Sequence, residues 1–403
     1  MYSEIMHRFA AVRLLVLSVI LLGGSGLLLA QTLTTLYLFG GGGNPEGALV
    51  EGPNGNLYGT TYGYLGIENG MIFEITPTGS FTKLHGGGAY AAGLILGTDG
   101  NFYGTSWSGG TGGNGFVFKI TPSGTLTTLY TFHPNSSGIW ANGNLPLGLV
   151  QASDGNFYGT TREGGANTCL YGGTNYGCGT VFRVTLRGTL TTLYTFCSQS
   201  GCVDGQEPGA LIRGTDGDLY GTTPGGGSGP CSGGCGTIFR ITTTGTFTTL
   251  HSFDSTDGVD PAALVQAANG DIYGTTYSGG SGNNCSPGCG TVFMMTPAGA
   301  VTTLHSFNSS DGGSPAGMIQ AADGNFYGTT EGGGTNGYGT VFKITSTGTL
   351  TTLHDFDKTD GARPTALVQH TNGLFYGTTI SGGKTSYHFC QAYCGTLFGL
   401  SVP

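Results

Sequence analysis

The chain has 403 residues, of which 81 are glycine and only 9% are charged, and its formal net charge is −9. That much glycine would suit a disordered polymer, but disorder needs few aromatics and a high net charge, whereas 22 Phe and 20 Tyr recur here at fixed places. No basic stripe exists, so neither nucleic acid nor an anionic membrane surface is an expected partner.

Residues 1–30 read as a signal peptide. His7, Arg8 and Arg13 precede an apolar run over residues 14–22, followed by Gly-Gly-Ser-Gly and Leu-Leu-Leu-Ala, and cleavage after Ala30 leaves Gln31 first. An uncleaved anchor is the alternative, because residues 14–30 carry no charge over 17 positions. The small-residue break and the immediate start of the repeats favour cleavage, and with it a secreted or periplasmic location and no membrane span in the mature chain. No cysteine lies near the cleavage point, so a lipid anchor is not expected. The remainder has 11 basic and 21 acidic residues.

An isolated strand comes next, Thr32-Leu33-Thr34-Thr35-Leu36-Tyr37-Leu38-Phe39. The segment Asn-Phe-Tyr-Gly-Thr-Thr, or a close variant, then returns seven times, centred on Tyr58, Tyr103, Tyr158, Tyr220, Tyr273, Tyr327 and Tyr376. The spacings are 45, 55, 62, 53, 54 and 49 residues, a period that signals a repeat architecture. In the third copy, Gly148-Leu149-Val150-Gln151 is strand a and Asp154-Gly155-Asn156 a tight turn. Phe157-Tyr158-Gly159-Thr160-Thr161 is strand b, and a glycine-rich loop follows it. Strand c begins at Gly179-Thr180-Val181-Phe182, and strand d is Thr189-Leu190-Thr191-Thr192-Leu193-Tyr194. The sequence ends on a strand c, Gly395-Thr396-Leu397-Phe398, with no strand d of its own. The spare first strand can supply the missing one. We therefore expect an all-β fold: a seven-bladed β-propeller with four antiparallel strands per blade, forming one domain over residues 31–403 and closed by the N-terminal strand in the last blade. An open solenoid is the alternative, but it explains neither the spare strand nor the missing one.

Several repeated positions read as packing. Phe73, Phe118, Phe182, Phe239, Phe293, Phe342 and Phe398 on strand c should fill the space between blades, and the glycine after each repeated Tyr lets a ring approach the backbone. On strand d, His85, His251, His305 and His354 replace the tyrosines of other copies; on separate blades they cannot share an ion.

Ten cysteines fall in local couples: Cys169/Cys178, Cys197/Cys202, Cys231/Cys235, Cys285/Cys289 and Cys390/Cys394. Copies lacking one member lack both, the pattern that disulfides in an oxidising compartment produce. A metal site is the weaker alternative, since only His388 lies near a couple. Closing such short loops contributes about 2 kcal/mol each.

The repeat Asp-Gly-Asn-Phe-Tyr-Gly-Thr-Thr…Gly-Thr-Val-Phe-Lys-Ile-Thr…Gly-Thr-Leu-Thr-Thr-Leu-Tyr closely resembles the GloVer tandem repeat of bacterial exported proteins of the choice-of-anchor type, over about residues 32–400. The resemblance implies export and a propeller-like fold. It brings no agreed activity and no catalytic residues. Members often end in a surface-anchoring segment, which is not expected here because the sequence stops at Pro403.

Loop lengths give the best functional clue. The a–b and c–d turns are uniformly short, whereas the b–c and d–a connections vary and hold all ten cysteines. Binding residues tend to sit on loops carried by a rigid scaffold, so the variable face is the expected site. The position after each Thr-Thr or Thr-Ser holds Tyr62, Trp107, Arg162, Pro224, Tyr277, Glu331 and Ile380. Aromatics beside Arg and carboxylate suit a ring-stacking polar ligand such as a glycan; the plainer reading is a set of ordinary loop starts. A second cluster comprises His133, Trp140, Arg162, Glu163, Tyr171 and Tyr176, and a third Lys384, Tyr387, His388 and Tyr393. Glu51, Gln151, Arg213, Gln266, Gln320 and Gln369, with Leu96, end strand a and are expected to line the central channel, which can be wet without any ligand. Asp254-x2-Asp257-Gly258 and Asp357-x2-Asp360-Gly361 read as turn chemistry rather than calcium loops. No nucleophile elbow, phosphate loop or close acid pair appears, so no catalytic residue, cofactor or metal is assigned. The expected function is a monomeric, exported binding module for a glycan or surface protein. The alternative is a polysaccharide lyase or hydrolase working at the same face.

Overall fold

The computed structural model describes residues 31–40, 43–63, 70–86, 92–111, 113–134, 140–171, 174–282, 285, 288–383 and 395–402. Seven four-stranded antiparallel sheets form the blades. Blade 3 runs Asn144–Gln151, Phe157–Glu163, Thr180–Val184 and Leu190–Thr195 in spatial as in chain order. Blade 7 consists of Ala362–Gln369, Phe375–Ser381 and Thr396–Ser401, with Thr32–Leu38 as its outer strand. The sequence expectation of a closed propeller therefore holds. Among the described residues the one helical element is a 3-10 turn, Ser200–Cys202, and no helix is long and apolar enough to cross a membrane.

The core lies between blades, in seven apolar clusters that join every neighbouring pair. One joins Tyr158, Val181 and Phe196 of blade 3 to Leu211, Leu219, Phe239 and Ile241 of blade 4. Another joins Phe39, Tyr376 and Leu397 of blade 7 to Leu57, Phe73 and Ile75 of blade 1. Each strand c Phe is at most 1% exposed. Burying a side chain of that size contributes about 1.5–3 kcal/mol.

The Thr-Thr pair has two separate duties. The first threonine ties neighbouring blades: Thr160 Oγ1 donates to the Gly209 carbonyl at 2.8 Å, and Thr105 to that of Leu147 at 2.8 Å. The second joins strands b and c within a blade, as in Thr161–Thr180 at 2.8 Å and Thr379–Thr396 at 2.9 Å. All these hydroxyls are buried, so the bonds are needed to offset desolvation.

Turns are pinned by side chains. The repeated Tyr donates to the turn Asp, as in Tyr158–Asp154 at 2.8 Å and Tyr327–Asp323 at 2.9 Å. Desolvation disfavours the Asp323 charge, yet bonds from Asn325, Tyr327 and Lys343 outweigh it and hold the carboxyl at about 2. A folded pKa below the unfolded value of about 3.9 stabilises above that value, and the benefit is lost as pH falls through the folded one. Asp323→Asn should thus lower the urea midpoint at pH 7, with the cost shrinking as pH falls toward the folded value of about 2 and vanishing only well below it. A cost independent of pH would contradict this.

Strand d anchors the connection to the next blade. Tyr194 donates to Asp204 at 2.7 Å, and His251, His305 and His354 contact Asp257, Asp311 and Asp360 at 2.8, 3.0 and 2.7 Å. Asp254 accepts from the Thr256 and Asp257 amides, and Asp254 N donates back to Asp257, so these carboxylates are engaged in turn bonds. Four cysteine couples are disulfides: Cys169–Cys178, Cys197–Cys202, Cys231–Cys235 and Cys285–Cys289. Cys390 and Cys394 lie outside the described residues, as does the segment read as a signal peptide.

Candidate functional site

In four blades a proline is the third residue of strand a, Pro146, Pro261, Pro315 and Pro364, and in two it precedes the strand, Pro45 and Pro208. Each ring packs over the glycine before the preceding blade's strand c. A Cβ on Gly179 would lie 2.4 Å from Pro208 Cδ, and one on Gly339 would lie 2.6 Å from Pro364 Cδ. Five residues before these prolines are held in the left-handed region: Leu145, Glu207, Asp260, Ser314 and Arg363, at φ of 53–56°. The amides help to hold them there, Glu207 N donating to Cys178 O at 2.9 Å and Arg363 N to Tyr338 O at 3.0 Å. A non-glycine residue there costs about 1–3 kcal/mol, and such strain gathers at functional sites.

Two of these residues, Glu207 and Arg363, meet the residue after Thr-Thr of the preceding blade. Arg162 donates to Glu207 through Nε at 3.0 Å and Nη2 at 2.9 Å. Three blades on the signs are exchanged, and Arg363 Nη2 lies 3.1 Å from Glu331 Oε2. Both arginines are exposed, so the pairs orient side chains more than they stabilise the fold.

Two open cavities lie beside this ring. The first, about 460 Å³, is bordered by Tyr62, Trp107 and Glu46, over a floor from the inner strands of blades 1–4 that includes Ala48, Gly93, Gly148 and Ala210. The floor is built of small residues, leaving room above it. The second, about 520 Å³, is bordered by Arg162, Glu163, Glu207, Tyr176, Cys169 and Leu145.

Three carboxyls at this end, Glu46, Glu163 and Asp260, are held above their ordinary range. Glu46 retains exposed surface, but the blades around it displace enough water for desolvation to dominate; Arg363 opposes the rise and Glu331 adds to it. Burial also raises Glu163 and Asp260, with Glu207 adding to both. Glu163 accepts one bond from Asn144 at 3.2 Å.

Of the residues singled out in the sequence, Tyr62 and Trp107 share the first cavity and Arg162, Glu163 and Tyr176 the second. Tyr277 is exposed at 43%. The Trp140 carbonyl accepts from Gly143 and Gly165, bracing its loop, and His133 stacks on Tyr130 at 6.4 Å. The Tyr171 side chain and the cluster of Lys384, Tyr387, His388 and Tyr393 lie outside the described residues.

The polar residues ending strand a form a stitch between blades. Gln151, Gln266, Gln320 and Gln369 accept from backbone amides of the preceding blade's tight turn, at 2.9, 2.7, 2.9 and 2.8 Å. Glu51 accepts from Thr371 N at 2.9 Å across the closure. Leu96 and Arg213 have no acceptor to offer; Arg213 is exposed.

Sequence reasoning passed over Glu46, Glu207, Asp260 and Arg363. The repeated proline was the available signal, since it fixes a display position at or just before strand a in every blade but blade 2.

A family model, the Gloeobacter/Verrucomicrobia repeat, matches residues 27–171 and 166–390. No curated protein is significantly similar in sequence. Among solved structures, the extracellular domain of a candidate hybrid two-component system from B. thetaiotaomicron is similar at 11% identity and a TM-score of 0.55, over 88% of this chain and 39% of that one. The present chain thus spans well under half of that protein's length. A 6-phosphogluconolactonase candidate from Bacteroides uniformis is similar at 15% identity and a TM-score of 0.52, over 79% of this chain and 87% of that one. At these identities the likeness concerns the fold alone.

Proposed function

The chain belongs to the Gloeobacter/Verrucomicrobia repeat family, and we propose that it is an exported binding module that takes a neutral glycan between Tyr62 and Trp107. The observation that carries this reading is the pairing of those two rings, from equivalent positions on adjacent blades, across one cavity with a small-residue floor. Sugar rings present flat C–H faces that pack on aromatics, and a single carboxylate such as Glu46 can accept from a hydroxyl. Glu46, Glu163, Glu207 and Asp260 stand at the same end, which disfavours uronate-rich polysaccharides by like-charge repulsion. Four disulfides in a chain of 403 residues fit an oxidising compartment.

The test is binding of purified protein to a panel of neutral, amino-sugar and uronate polysaccharides. Trp107→Ala should weaken binding to a neutral glycan at least about tenfold, which corresponds to about 1.4 kcal/mol. Binding that is unaffected by both Trp107→Ala and Tyr62→Ala would remove the ligand from this cavity.

A glycan-cleaving activity is the second reading, favoured by Glu46. A carboxyl raised by desolvation can stay protonated long enough to serve as a general acid. Glu46→Gln then separates the two readings. A binding module forms no product with either form of the protein. An enzyme forms product as the parent and loses it in the variant.

A further inference from the structure

Blade 3 carries cysteines in both variable connections, Cys169 and Cys178 before strand c and Cys197 and Cys202 after strand d. The Sγ atoms of Cys169, Cys178 and Cys197 all lie within 4.8 Å of one another, a grouping no other cysteines make among the described residues. Cys202 is bonded to Cys197. Four sulfurs therefore converge beside the Arg162 cavity, which Cys169 borders.

Stapling does not account for the second couple. Asp204, fully buried, already holds that connection by accepting from Tyr194 Oη at 2.7 Å, Ser198 N at 2.9 Å and Ser198 Oγ at 2.8 Å. Blades 4, 5 and 6 hold the same connection through His251, His305 and His354, and no cysteine is present there. The sulfurs of Cys197 and Cys202 are thus placed against the other disulfide by a loop that does not need them for its shape.

We propose that blade 3, once both disulfides are reduced, binds one zinc ion through Cys169, Cys178, Cys197 and Cys202. Zinc takes four thiolates tetrahedrally at about 2.3 Å, which sets sulfur–sulfur separations of about 3.8 Å. Three of the four sulfurs already lie within 4.8 Å of one another and the fourth is bonded to one of them, so the change from bonded to coordinated sulfur requires side-chain rotation on backbones already 5.1 and 4.1 Å apart at Cα. Two molecules of a dithiol reductant are consumed. Each breaks one S–S bond, is oxidised to its own disulfide, and delivers two electrons and two protons to the cysteine pair. Zinc binding then displaces the thiol protons. Soft thiolates select zinc over magnesium or calcium, so the site is distinct in chemistry from the carboxylates of the mouth.

The experiment is titration of the dithiol-reduced, desalted protein under anaerobic conditions, with Zn²⁺ read by metal analysis and Co²⁺ by its thiolate charge-transfer band. The expected result is one ion per chain, none in the oxidised protein, and at least a tenfold loss of affinity in Cys197→Ser/Cys202→Ser. Cys231→Ser/Cys235→Ser, on the next blade, should bind as the parent does. The Asp204 anchor should keep the Cys197→Ser/Cys202→Ser variant folded, which a thermal melt verifies; Cys169→Ser/Cys178→Ser provides an independent second removal. Affinity unchanged in both double variants overturns the proposal. So does reduced protein that loses its near-UV dichroism, or that keeps it and binds no ion.

Discussion

Deleting residues 31–40 is expected to abolish the soluble folded protein. The segment supplies the outer strand of blade 7, in register with the last strand from Thr32↔Ser401 to Leu38↔Thr396, and Phe39 N continues the ladder to Gly395 O at 2.9 Å. Phe39 is 1% exposed and packs into the cluster between blades 7 and 1. Tyr37 stacks on Phe81 of blade 1, with centroids 4.1 Å apart. Losing a buried Phe costs about 3–5 kcal/mol by itself. Adding Leu33, Leu36, Tyr37 and the ladder brings the loss into the range of a whole domain's stability, about 5–15 kcal/mol. The bared edge of Thr396–Ser401 would also offer unpaired backbone to other chains. The measurement is soluble yield and thermal melting of residues 41–403 against residues 31–403. A synthetic peptide of residues 31–40, added during refolding, should restore both. A truncated chain that melts cooperatively within a few degrees of the parent would show that closure contributes little.

This closure was legible in the sequence because a missing strand and a spare one stood at opposite ends of a counted repeat. The strand c phenylalanines and the glycines facing them were equally legible, since seven copies repeat them with the period of the blade. The polar residues ending strand a were visible, but their use was not. The amide that Gln151 accepts from belongs to Thr98, 53 residues away, and the partner of Gln369 is 47 residues away. Such partners are set by how blades pack around the ring, which no local pattern records. The Arg162–Glu207 and Glu331–Arg363 pairs were hidden for a related reason. Their signs are exchanged between blades, so the repeat shows variation at each position and only the paired positions show complementarity. The residues before proline also read as ordinary loop positions until their left-handed backbone is seen.

Gly159→Ala is expected to destabilise the protein by about 3 kcal/mol or more, by overpacking of a site that cannot relax. Gly159 stands opposite Phe182 in the ladder. A Cβ there would lie 2.7 Å from Phe182 Cζ and 2.9 Å from Leu149 Cδ2. The ring has nowhere to go, because Phe182 is fully buried and meets Phe132 of blade 2 edge-on at 5.5 Å. Any shift passes directly into the interface between blades 2 and 3. Gly155→Ala is the comparison: at φ +79° with nothing within 4 Å, a Cβ there meets backbone strain alone, about 1–2 kcal/mol. Urea denaturation of the two variants should therefore order them with Gly159→Ala the less stable. Phe182→Leu, added to Gly159→Ala, should cost less than it does in the parent, because the shorter side chain clears the new methyl. If Gly159→Ala proves as mild as Gly155→Ala, the glycine serves the backbone and the ring contact is incidental. The same reasoning applies on the other six blades, where the Cβ would meet the strand c Phe at 2.3–2.7 Å, and it makes the Tyr-Gly pair a packing signature that carries no information about ligand.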